Sequence, residues 1–212
     1  MKKIKYKYQD EYKNSKDCFW EKTPAKYVKL LSSLHNNNFI GKSILDLGAG
    51  EGKNSVFLAN LGANIISVDV SEIAISRFNL QPNYYKSHNR IKTLTEDIQN
   101  LSFKNECFDI IIAYGILHCL EDRNAIYDMV EKIKSWLKLD GYFVCVTFTN
   151  QIAPPTNQEY LNINAFLNDG ELQQLFKNWK LINSEDEIIT ETHPTSNIKH
   201  QHSLVRLITQ KI

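Results

Sequence analysis

The chain has 212 residues, of which 42% are hydrophobic and 23% are charged, the proportions of an ordinary globular domain with a buried core. Its 25 basic and 24 acidic residues give a formal net charge of +1, which argues against a nucleic-acid partner because such proteins usually carry a basic excess. No stretch approaches the roughly 18 consecutive apolar residues that a membrane-spanning helix needs, so no membrane partner is expected.

The N-terminal lysines and the cysteines indicate the compartment. No apolar run follows the lysines, so we expect no signal peptide and interpret them as a solvated terminus: Lys2, Lys3, Lys5 and Lys7. The cysteines form no C-x-x-C pair: Cys18, Cys107, Cys119 and Cys145. This spacing indicates reduced thiols and predicts a cytoplasmic protein.

The first 35 residues are rich in aromatic side chains and are predicted to be helical. Thr23 is placed to cap a helix in which Pro24 is the first residue, and apolar residues follow at helical spacing as far as Leu31. We expect a single domain made of three parts: residues 1–35 as a helical cap, 40–150 as the core, and 151–212 as a loop, a helix and a C-terminal hairpin.

Strands and helices then alternate. The predicted strands cover residues 43–47, 64–68, 90–94, 108–113 and 142–148, and the predicted helices cover 54–61, 71–80 and 125–137. Ser71 is expected to cap the second of these helices, and Gly141 is placed to end the third. Such alternation predicts a parallel sheet with right-handed crossovers.

The tail departs from this alternation. Residues 169–179 are predicted to be helical, and residues 180–183 and 203–212 are predicted strands. The segment between these two strands has no helical pattern, which favours an antiparallel hairpin at the edge of the sheet over another crossover.

A glycine-rich loop follows the first predicted strand, in the run Leu45-Asp46-Leu47-Gly48-Ala49-Gly50-Glu51-Gly52-Lys53-Asn54. Glycines permit a tight turn and close approach of a ligand to the backbone, and the loop opens onto a helix N-terminus that favours anionic groups. The fingerprint of dinucleotide-binding proteins requires a glycine where Lys53 stands. Asp46 can meet the ammonium of an amino-acid group, or it can stabilise the loop.

Acidic residues also follow the second and third predicted strands. Asp69 can accept hydrogen bonds from both hydroxyls of a ribose, which indicates an adenosine ligand without choosing between cofactors. Asp97 and Ile98 can bond an adenine amine and pack on its ring, although Asp97 can also be a surface acid.

This ordered set of motifs resembles the class I S-adenosylmethionine-dependent methyltransferases, from the glycine loop through residues 69–70, 97–98 and 108–111. The resemblance implies a Rossmann-like α/β fold: a parallel seven-stranded sheet with an antiparallel C-terminal edge hairpin, helices on both faces and an N-terminal helical cap. It implies that the methionine end lies against Asp46, Gly48 and Gly50, the ribose against Asp69 and Val70, the adenine against Asp97 and Ile98, and that the methyl-donor pocket is lined by Tyr114 and Gly115. Asp109 is expected to be structural.

Three longer segments are similar to the tellurite-resistance methyltransferase family: residues 45–55, residues 165–172 with Trp179 and 184–186, and residues 206–211 after a histidine near Glu191. That family is associated with methylating tellurium and selenium oxyanions. The resemblance implies S-adenosylmethionine as cofactor and a small-molecule substrate, in a monomer or homodimer. The chain departs from the family near the acceptor, because Pro194 follows His193, and His200 and His202 stand where an arginine is expected.

Methyl transfer from a sulfonium is an in-line displacement that needs positioning, exclusion of water, and a base only if the acceptor carries a proton. The predicted catalytic residues are His118, His193 and His200, and the predicted substrate contacts include His202 and Arg206. Each of these residues also has an alternative without a role in catalysis. His118 can be a packing residue, the tail histidines can be solvated residues of the hairpin, and Arg206 can face water. No metal site is predicted, although the tail histidines with Glu191 leave a divalent metal as an alternative.

Aromatic residues of the N-terminal segment are the remaining substrate-side candidates. Tyr12, Trp20 and Tyr27 can form a lid that excludes water, or they can belong to an amphipathic helix packed on the domain. Cys119 is discounted as a nucleophile that acts with His118, because adjacent side chains point apart.

Three rival functions remain. An NAD-dependent oxidoreductase would need the other glycine spacing. A DNA amino-methyltransferase would resemble its class in an Asp/Asn-Pro-Pro-Tyr run after the fourth strand, where this chain has Ala113-Tyr114-Gly115-Ile116. A non-catalytic S-adenosylmethionine-binding protein would keep the cofactor motifs. Within the enzyme hypothesis, an organic metabolite is the alternative acceptor.

Overall fold

A computed structural model describes residues 9–153, 163, 165–192 and 199–212. Residues 9–14 are helical. The labelled helices are α1 (Lys26–Leu34), α2 (Lys53–Asn60), α3 (Glu72–Ser76), α4 (Tyr84–Ser87), α5 (Arg123–Trp136) and α6 (Glu171–Leu175). The strands are β1 (Ser43–Leu47), β2 (Asn64–Asp69), β3 (Ile91–Thr95), β4 (Phe108–Tyr114), β5 (Leu137–Thr149), β6 (Lys180–Glu191) and β7 (His200–Gln210).

The seven strands form one sheet in the order β3-β2-β1-β4-β5-β7-β6. Strands β1 to β5 pair in parallel, whereas β7 pairs antiparallel with both β5 and β6. The strand order reverses at β1, so β1 and β4 diverge into crossovers on opposite sides, and a crevice opens beyond their carboxyl ends. The predicted α/β sheet with an antiparallel C-terminal hairpin is confirmed.

Both faces of the sheet are covered, as the apolar runs of the central strands require. On one face, α5 packs Ile126, Met129 and Ile133 against β4, β5 and β7. On the other face, α1 and α2 form a second core, in which Val28 and Leu31 are fully buried. The predicted helices on both faces are therefore confirmed.

The C-terminal hairpin is longer than the sequence indicates. β6 runs for 12 residues and β7 for 11, and they pair from Lys180 opposite Gln210 to Glu191 opposite His200. The acidic stretch of β6 gave no apolar alternation because β6 is the edge strand, and charged residues are tolerated where one side of a strand faces water.

Two predicted helix ends are wrong. The N-cap of α1 is Ala25 and not Thr23, and the side-chain oxygen of Asn54 accepts the Ala25 N–H at 3.0 Å. Gly141 lies inside β5, because the strand begins at Leu137 directly after α5 ends. A Cβ at Gly141 would lie 2.8 Å from the Lys138 carbonyl oxygen, so the glycine permits a close approach within the strand.

Two other helices are shorter than predicted. Ser71 caps α3 as expected, accepting the Ala74 N–H at 3.2 Å, but the α-helix ends at Ser76 and a 3-10 turn continues to Leu80. The helix predicted over residues 169–179 is α6, which ends at Leu175. Within the described residues, no helix has the length and apolar character to cross a membrane.

Candidate cofactor and acceptor site

One cavity of about 360 Å³ lies beyond the carboxyl ends of β1, β2, β4 and β5. The glycine loop, the loops after β2, β3 and β4, and the N-terminal segment contribute its walls. Eleven of the predicted site residues line it: Tyr12, Trp20, Gly48, Gly50, Asp69, Val70, Asp97, Ile98, Tyr114, Gly115 and His118. Its volume and position are those expected of a small-molecule site.

The glycine loop has a backbone that other residues adopt with difficulty. Gly48 and Gly50 have φ values of 68° and 54°. A Cβ on Gly48 would lie 2.7 Å from the Ile116 side chain, and one on Gly50 would lie 3.2 Å from the Tyr12 hydroxyl. Glycine is therefore required at both positions, because it adopts positive φ without strain and lets the loop backbone pack directly against Ile116 and Tyr12.

Asp69 joins the end of β2 to the glycine loop. One carboxylate oxygen accepts the Gly50 N–H and the other accepts the Ser71 N–H, both at 2.8 Å. Burial raises the pKa of Asp69, and these backbone donors oppose the rise. A carboxylate held by the backbone at a cavity wall is well placed to accept the hydroxyls of a ribose.

Asp97 and Ile98 lie at the same end of the cavity. The Asp97 carboxylate accepts the Gln99 N–H at 3.0 Å, which orients the 3-10 turn from Ile98 to Asn100. Ile98 is buried and offers an apolar surface beside the acid. This pair of a polar edge and an apolar face suits a purine ring.

Asp46 does not line the cavity. Its carboxylate is fully buried and accepts the Ser55 hydroxyl at 2.6 Å, and that hydroxyl lies 2.7 Å from the Ser67 hydroxyl. Burial raises the pKa of Asp46 to about 7. The nearby cation on the cavity wall is Lys53, whose pKa burial lowers.

His118 marks the other end of the cavity. Its ring stacks on Phe148, with centroids 4.1 Å apart and planes 17° apart, and its Nδ1 accepts the Phe148 backbone N–H at 3.3 Å. Burial first, and then His202, lower the pKa of His118 to about 3. The ring is therefore neutral near pH 7, with its proton on Nε2.

The predicted residues of β7 lie behind this wall. His202 stacks on Phe148 with centroids 4.3 Å apart, and His200 packs at 4.8 Å against His202. Both histidines are buried, and neither they nor Arg206 line the cavity. Arg206 forms an ion pair with Glu187 of the edge strand. The Arg206 cation also lies beside Tyr114, which does line the cavity.

The three predicted lid residues separate into two groups. The Trp20 indole donates to the Tyr12 hydroxyl at 3.1 Å, and both side chains line the cavity. Tyr27 lies in the second core instead, and its hydroxyl donates to the Asn183 side chain at 2.5 Å. The structure therefore brings Tyr12 and Trp20 to the site and leaves Tyr27 outside it.

Two predicted features fall beyond what the structure describes: His193 and the side chain of Glu191. Among the described side chains, no cluster of three or more histidine, cysteine, aspartate or glutamate residues could hold a metal ion.

Residues that the sequence did not single out also line the cavity, and they include Glu51, Gln81, Val146, Phe148 and Ile163. Phe148 could have been found as the apolar residue near the carboxyl end of the fifth strand.

Comparison with known proteins identifies the family. Residues 20–207 match the family described as Tellurite resistance protein TehB. The chain belongs to the TehB family. It is 27% identical over 154 residues to a probable S-adenosyl-L-methionine-dependent methyltransferase TehB of Haemophilus influenzae, which covers 72% of this chain and 50% of that protein. The family predicted from the sequence is confirmed.

A plant methyltransferase is also similar to part of this chain. Phosphoethanolamine N-methyltransferase 3 of Arabidopsis thaliana is 32% identical over 104 residues, which are 48% of this chain and 20% of that protein. The chain therefore spans half the length of the H. influenzae TehB and one fifth of the plant enzyme.

Solved structures share the fold. The crystal structure of TehB from H. influenzae matches with a TM-score of 0.73 and 21% identity, over 89% of this chain and 62% of that one. The Burkholderia thailandensis 1,6-didemethyltoxoflavin-N1-methyltransferase, with bound 1,6-didemethyltoxoflavin and S-adenosylhomocysteine, matches with a TM-score of 0.71 and 18% identity, over 99% and 88%. These likenesses confirm the Rossmann-like methyltransferase fold of this TehB-family chain.

Proposed function

We propose that this protein transfers the methyl group of S-adenosylmethionine to a small-molecule acceptor, and that the acceptor is a tellurium or selenium oxyanion. The observation that carries the proposal is that one continuous cavity is lined by the glycine loop and Asp69 and also by His118 and Phe148. Such an arrangement can hold a nucleoside cofactor and a second small molecule next to each other.

The residues present fit S-adenosylmethionine. Gly48 and Gly50 line the cavity without side chains, the Asp69 carboxylate lies at the cavity wall, and Ile98 offers an apolar surface. Asp69 and Val70 would hold the ribose, Asp97 and Ile98 the adenine, and Gly48, Gly50 and Lys53 the methionine end. When bound, the cofactor supplies an electrophilic methyl group.

Asp46 has a different proposed role from the one that the resemblance implies. Its side chain faces Ser55 and Ser67 behind the loop, so it would fix the loop that contacts the methionine end. Lys53 lies at the cavity wall itself, where its ammonium can donate hydrogen bonds to the cofactor carboxylate and form an ion pair with it. The remaining predicted cofactor residues, Tyr114 and Gly115, would line the pocket around the methyl group.

The chain's own residues at the acceptor end favour an anion without a proton to lose. Because His118 Nδ1 accepts the Phe148 N–H, the Nε2–H is left as a hydrogen-bond donor and the ring has no free basic nitrogen. A donor suits an oxyanion whose nucleophilic atom is already unprotonated. Tyr12 and Trp20 would cover the cavity and exclude water during transfer.

An organic acceptor is the second candidate, and the apolar lining of the same cavity end favours it. Val146, Phe148 and Ile163 present mostly carbon surface there. Relatives that act on organic molecules include phosphoethanolamine N-methyltransferase 3 of A. thaliana. A non-catalytic S-adenosylmethionine-binding protein is the candidate from another class.

The predicted site residues that do not line the cavity, or that lie outside the described residues, remain part of the proposal. His193 and His200 stay predicted catalytic residues, and Tyr27, His202 and Arg206 stay predicted substrate-side residues. With Phe148 between His202 and the cavity, we propose that His202 acts by holding that ring in place. We propose a cytoplasmic protein, monomeric or homodimeric, with a small-molecule partner, no nucleic-acid or membrane partner and no required metal.

The deciding experiment measures S-adenosylhomocysteine formed from S-adenosylmethionine across selenite, tellurite, thiols, amines and phenols. Turnover with selenite or tellurite supports the oxyanion proposal. Turnover with an organic acceptor alone rejects the oxyanion and keeps the methyltransferase. Tight binding of S-adenosylhomocysteine by calorimetry without turnover on any acceptor supports the non-catalytic alternative, and absence of binding rejects the cofactor itself.

A further inference from the structure

Glu51 lies inside the glycine loop, between Gly50 and Gly52, yet its carboxylate points to other parts of the chain. The side chain is only 2% exposed. One carboxylate oxygen accepts Arg77 Nε–H at 2.7 Å, and the other accepts the Trp20 backbone N–H at 3.1 Å. A single loop residue thus contacts both the N-terminal segment and the 3-10 turn that follows α3.

Arg77 completes the connection. Its Nη1 donates to the Ser15 carbonyl at 3.0 Å, and its Nη2 donates to the Asp17 carbonyl. The planar guanidinium therefore bridges the Glu51 carboxylate and two backbone carbonyls of the N-terminal segment, a geometry that a lysine ammonium cannot reproduce. The side chain is 16% exposed, so this ion pair is screened only weakly by solvent.

The segment held in this way carries the two aromatic residues that cover the cavity. Tyr12 precedes the Ser15 and Asp17 carbonyls that Arg77 contacts, and Trp20 follows them. Both ends of the segment of residues 12–20, the covering segment, therefore depend on the contacts of Arg77. Gln81 adds a further link, donating to the Glu51 carbonyl oxygen at 3.0 Å and to Cys18 Sγ at 3.4 Å.

We infer that the Glu51–Arg77 ion pair is a positioning device that anchors residues 12–20 over the cavity and places Tyr12 and Trp20 against a bound cofactor. The inference rests on the proposed function, since the cofactor is taken to lie against the glycine loop that contains Glu51. Glu51 and Arg77 act through Tyr12 and Trp20, and their contribution is to retain the ligand beneath the covering segment.

The inference is tested with Arg77→Met, Arg77→Lys and Glu51→Gln, with Arg123→Met as a matched control. Arg123 forms a more exposed ion pair with Glu171 that links α5 to α6, away from the N-terminal segment. The first measurement is limited trypsin cleavage after the exposed residues Lys13 and Lys16, followed by mass spectrometry. The second is the dissociation rate of S-adenosylhomocysteine, and a urea unfolding curve accompanies each variant.

We expect Arg77→Met to speed cleavage at these two lysines by about tenfold or more, because removing one partner of a buried pair leaves the other charge uncompensated and opens the segment locally. Ligand dissociation should accelerate by a similar factor. Arg77→Lys should recover part of both effects, since it restores the charge without the bridge to the carbonyls. Arg123→Met should change the unfolding midpoint and leave both measurements as in the wild type.

Equal cleavage and dissociation rates in Arg77→Met, Glu51→Gln and the wild type overturn the inference. So does acceleration by Arg123→Met as large as that by Arg77→Met, because the effect would then be general loosening. If Arg77→Met does not fold, Glu51→Gln carries the test. Failure of the wild type to bind S-adenosylhomocysteine rejects the proposed function, whereas the cleavage measurement still decides whether the pair anchors the segment.

Discussion

The ring of His118 lies flat against the ring of Phe148, and its Nδ1 accepts the backbone N–H of that same residue at 3.3 Å. The stacking fixes the plane of the imidazole, and the hydrogen bond fixes its tautomer. On the far side of Phe148, His202 stacks at 4.3 Å, so the wall is braced from behind by β7. His118 is therefore oriented as a neutral donor, and a role as general base would require the opposite tautomer.

Replacing His118 with glutamine distinguishes donor from base. A glutamine can accept the Phe148 N–H and still donate from its amide nitrogen, so kcat/KM should stay within about tenfold of the wild type. His118→Phe, which keeps the stacking but removes the donor, should lower kcat/KM by about a hundredfold or more. Steady-state rates of S-adenosylhomocysteine formation give both numbers. Equal and large losses in the two variants would instead assign proton abstraction to His118.

Replacing Asp69 with asparagine should weaken cofactor binding. The carboxylate orients the loop through the Gly50 N–H, and its charge would strengthen hydrogen bonds from the ribose. We expect the Kd for S-adenosylhomocysteine to rise by about tenfold to a hundredfold, as for loss of a charged hydrogen-bond partner. Calorimetric titration measures it.

Asp109→Asn is the matched control for Asp69. Asp109 lies at the opposite end of the sheet, where it accepts the Ser43 N–H at 2.9 Å and a Lys138 hydrogen bond at 3.0 Å, as its expected structural role requires. That variant should lose stability and keep its affinity for S-adenosylhomocysteine. An unchanged Kd in Asp69→Asn removes Asp69 from the ribose site.

Local sequence was sufficient to predict the central strands, the Ser71 cap and the glycine loop, because apolar runs and glycines act over a few residues. It was insufficient where a contact spans the chain. Asn54, 29 residues away, accepts the N–H of Ala25, and α1 begins after Ala25 and not after the local candidate Thr23. Likewise, Tyr27 faces Asn183 only because the edge strand passes beside α1.

The same limit applies within the site. The motif placed Asp46 near the ligand, but the inward turn of its side chain towards Ser55 depends on how α2 packs on β1 and β2. The stacking of His118, Phe148 and His202 joins three distant segments, and no spacing rule connects them. Asp69, Asp97 and His118 were predictable because each follows a strand end, and strand ends meet at one edge of a parallel sheet.

Replacing Lys53 with methionine should weaken only ligands that carry the amino-acid group. Methionine keeps the apolar stem of the side chain and removes the charge that would meet the cofactor carboxylate. The Kd for S-adenosylhomocysteine should rise by about tenfold to a hundredfold. The Kd for 5′-methylthioadenosine, which lacks the amino-acid group, should change by less than about twofold. Equal losses for the two ligands would show that Lys53 supports the loop and not the carboxylate.

Replacing Asp46 with asparagine should change how stability depends on pH. Burial raises the pKa of Asp46 from 3.8 to about 7, so the folded state retains a proton that the unfolded state releases between these two values. The contribution of the Asp46 carboxyl to the unfolding free energy of the wild type is fully present below pH 3.8 and is lost as the pH rises to about 7. Asparagine does not titrate, so the unfolding free energy of Asp46→Asn minus that of the wild type should increase by about a few kcal/mol across this window.

Urea unfolding at a series of pH values measures the difference between Asp46→Asn and the wild type. The control is Asp109→Asn, whose wild-type carboxyl has a lowered pKa, and it should show the opposite slope below pH 4. A difference for Asp46→Asn that stays constant from pH 4 to pH 7.5 would mean that the carboxyl is ionised throughout, and that Lys53 or another cation compensates it behind the loop.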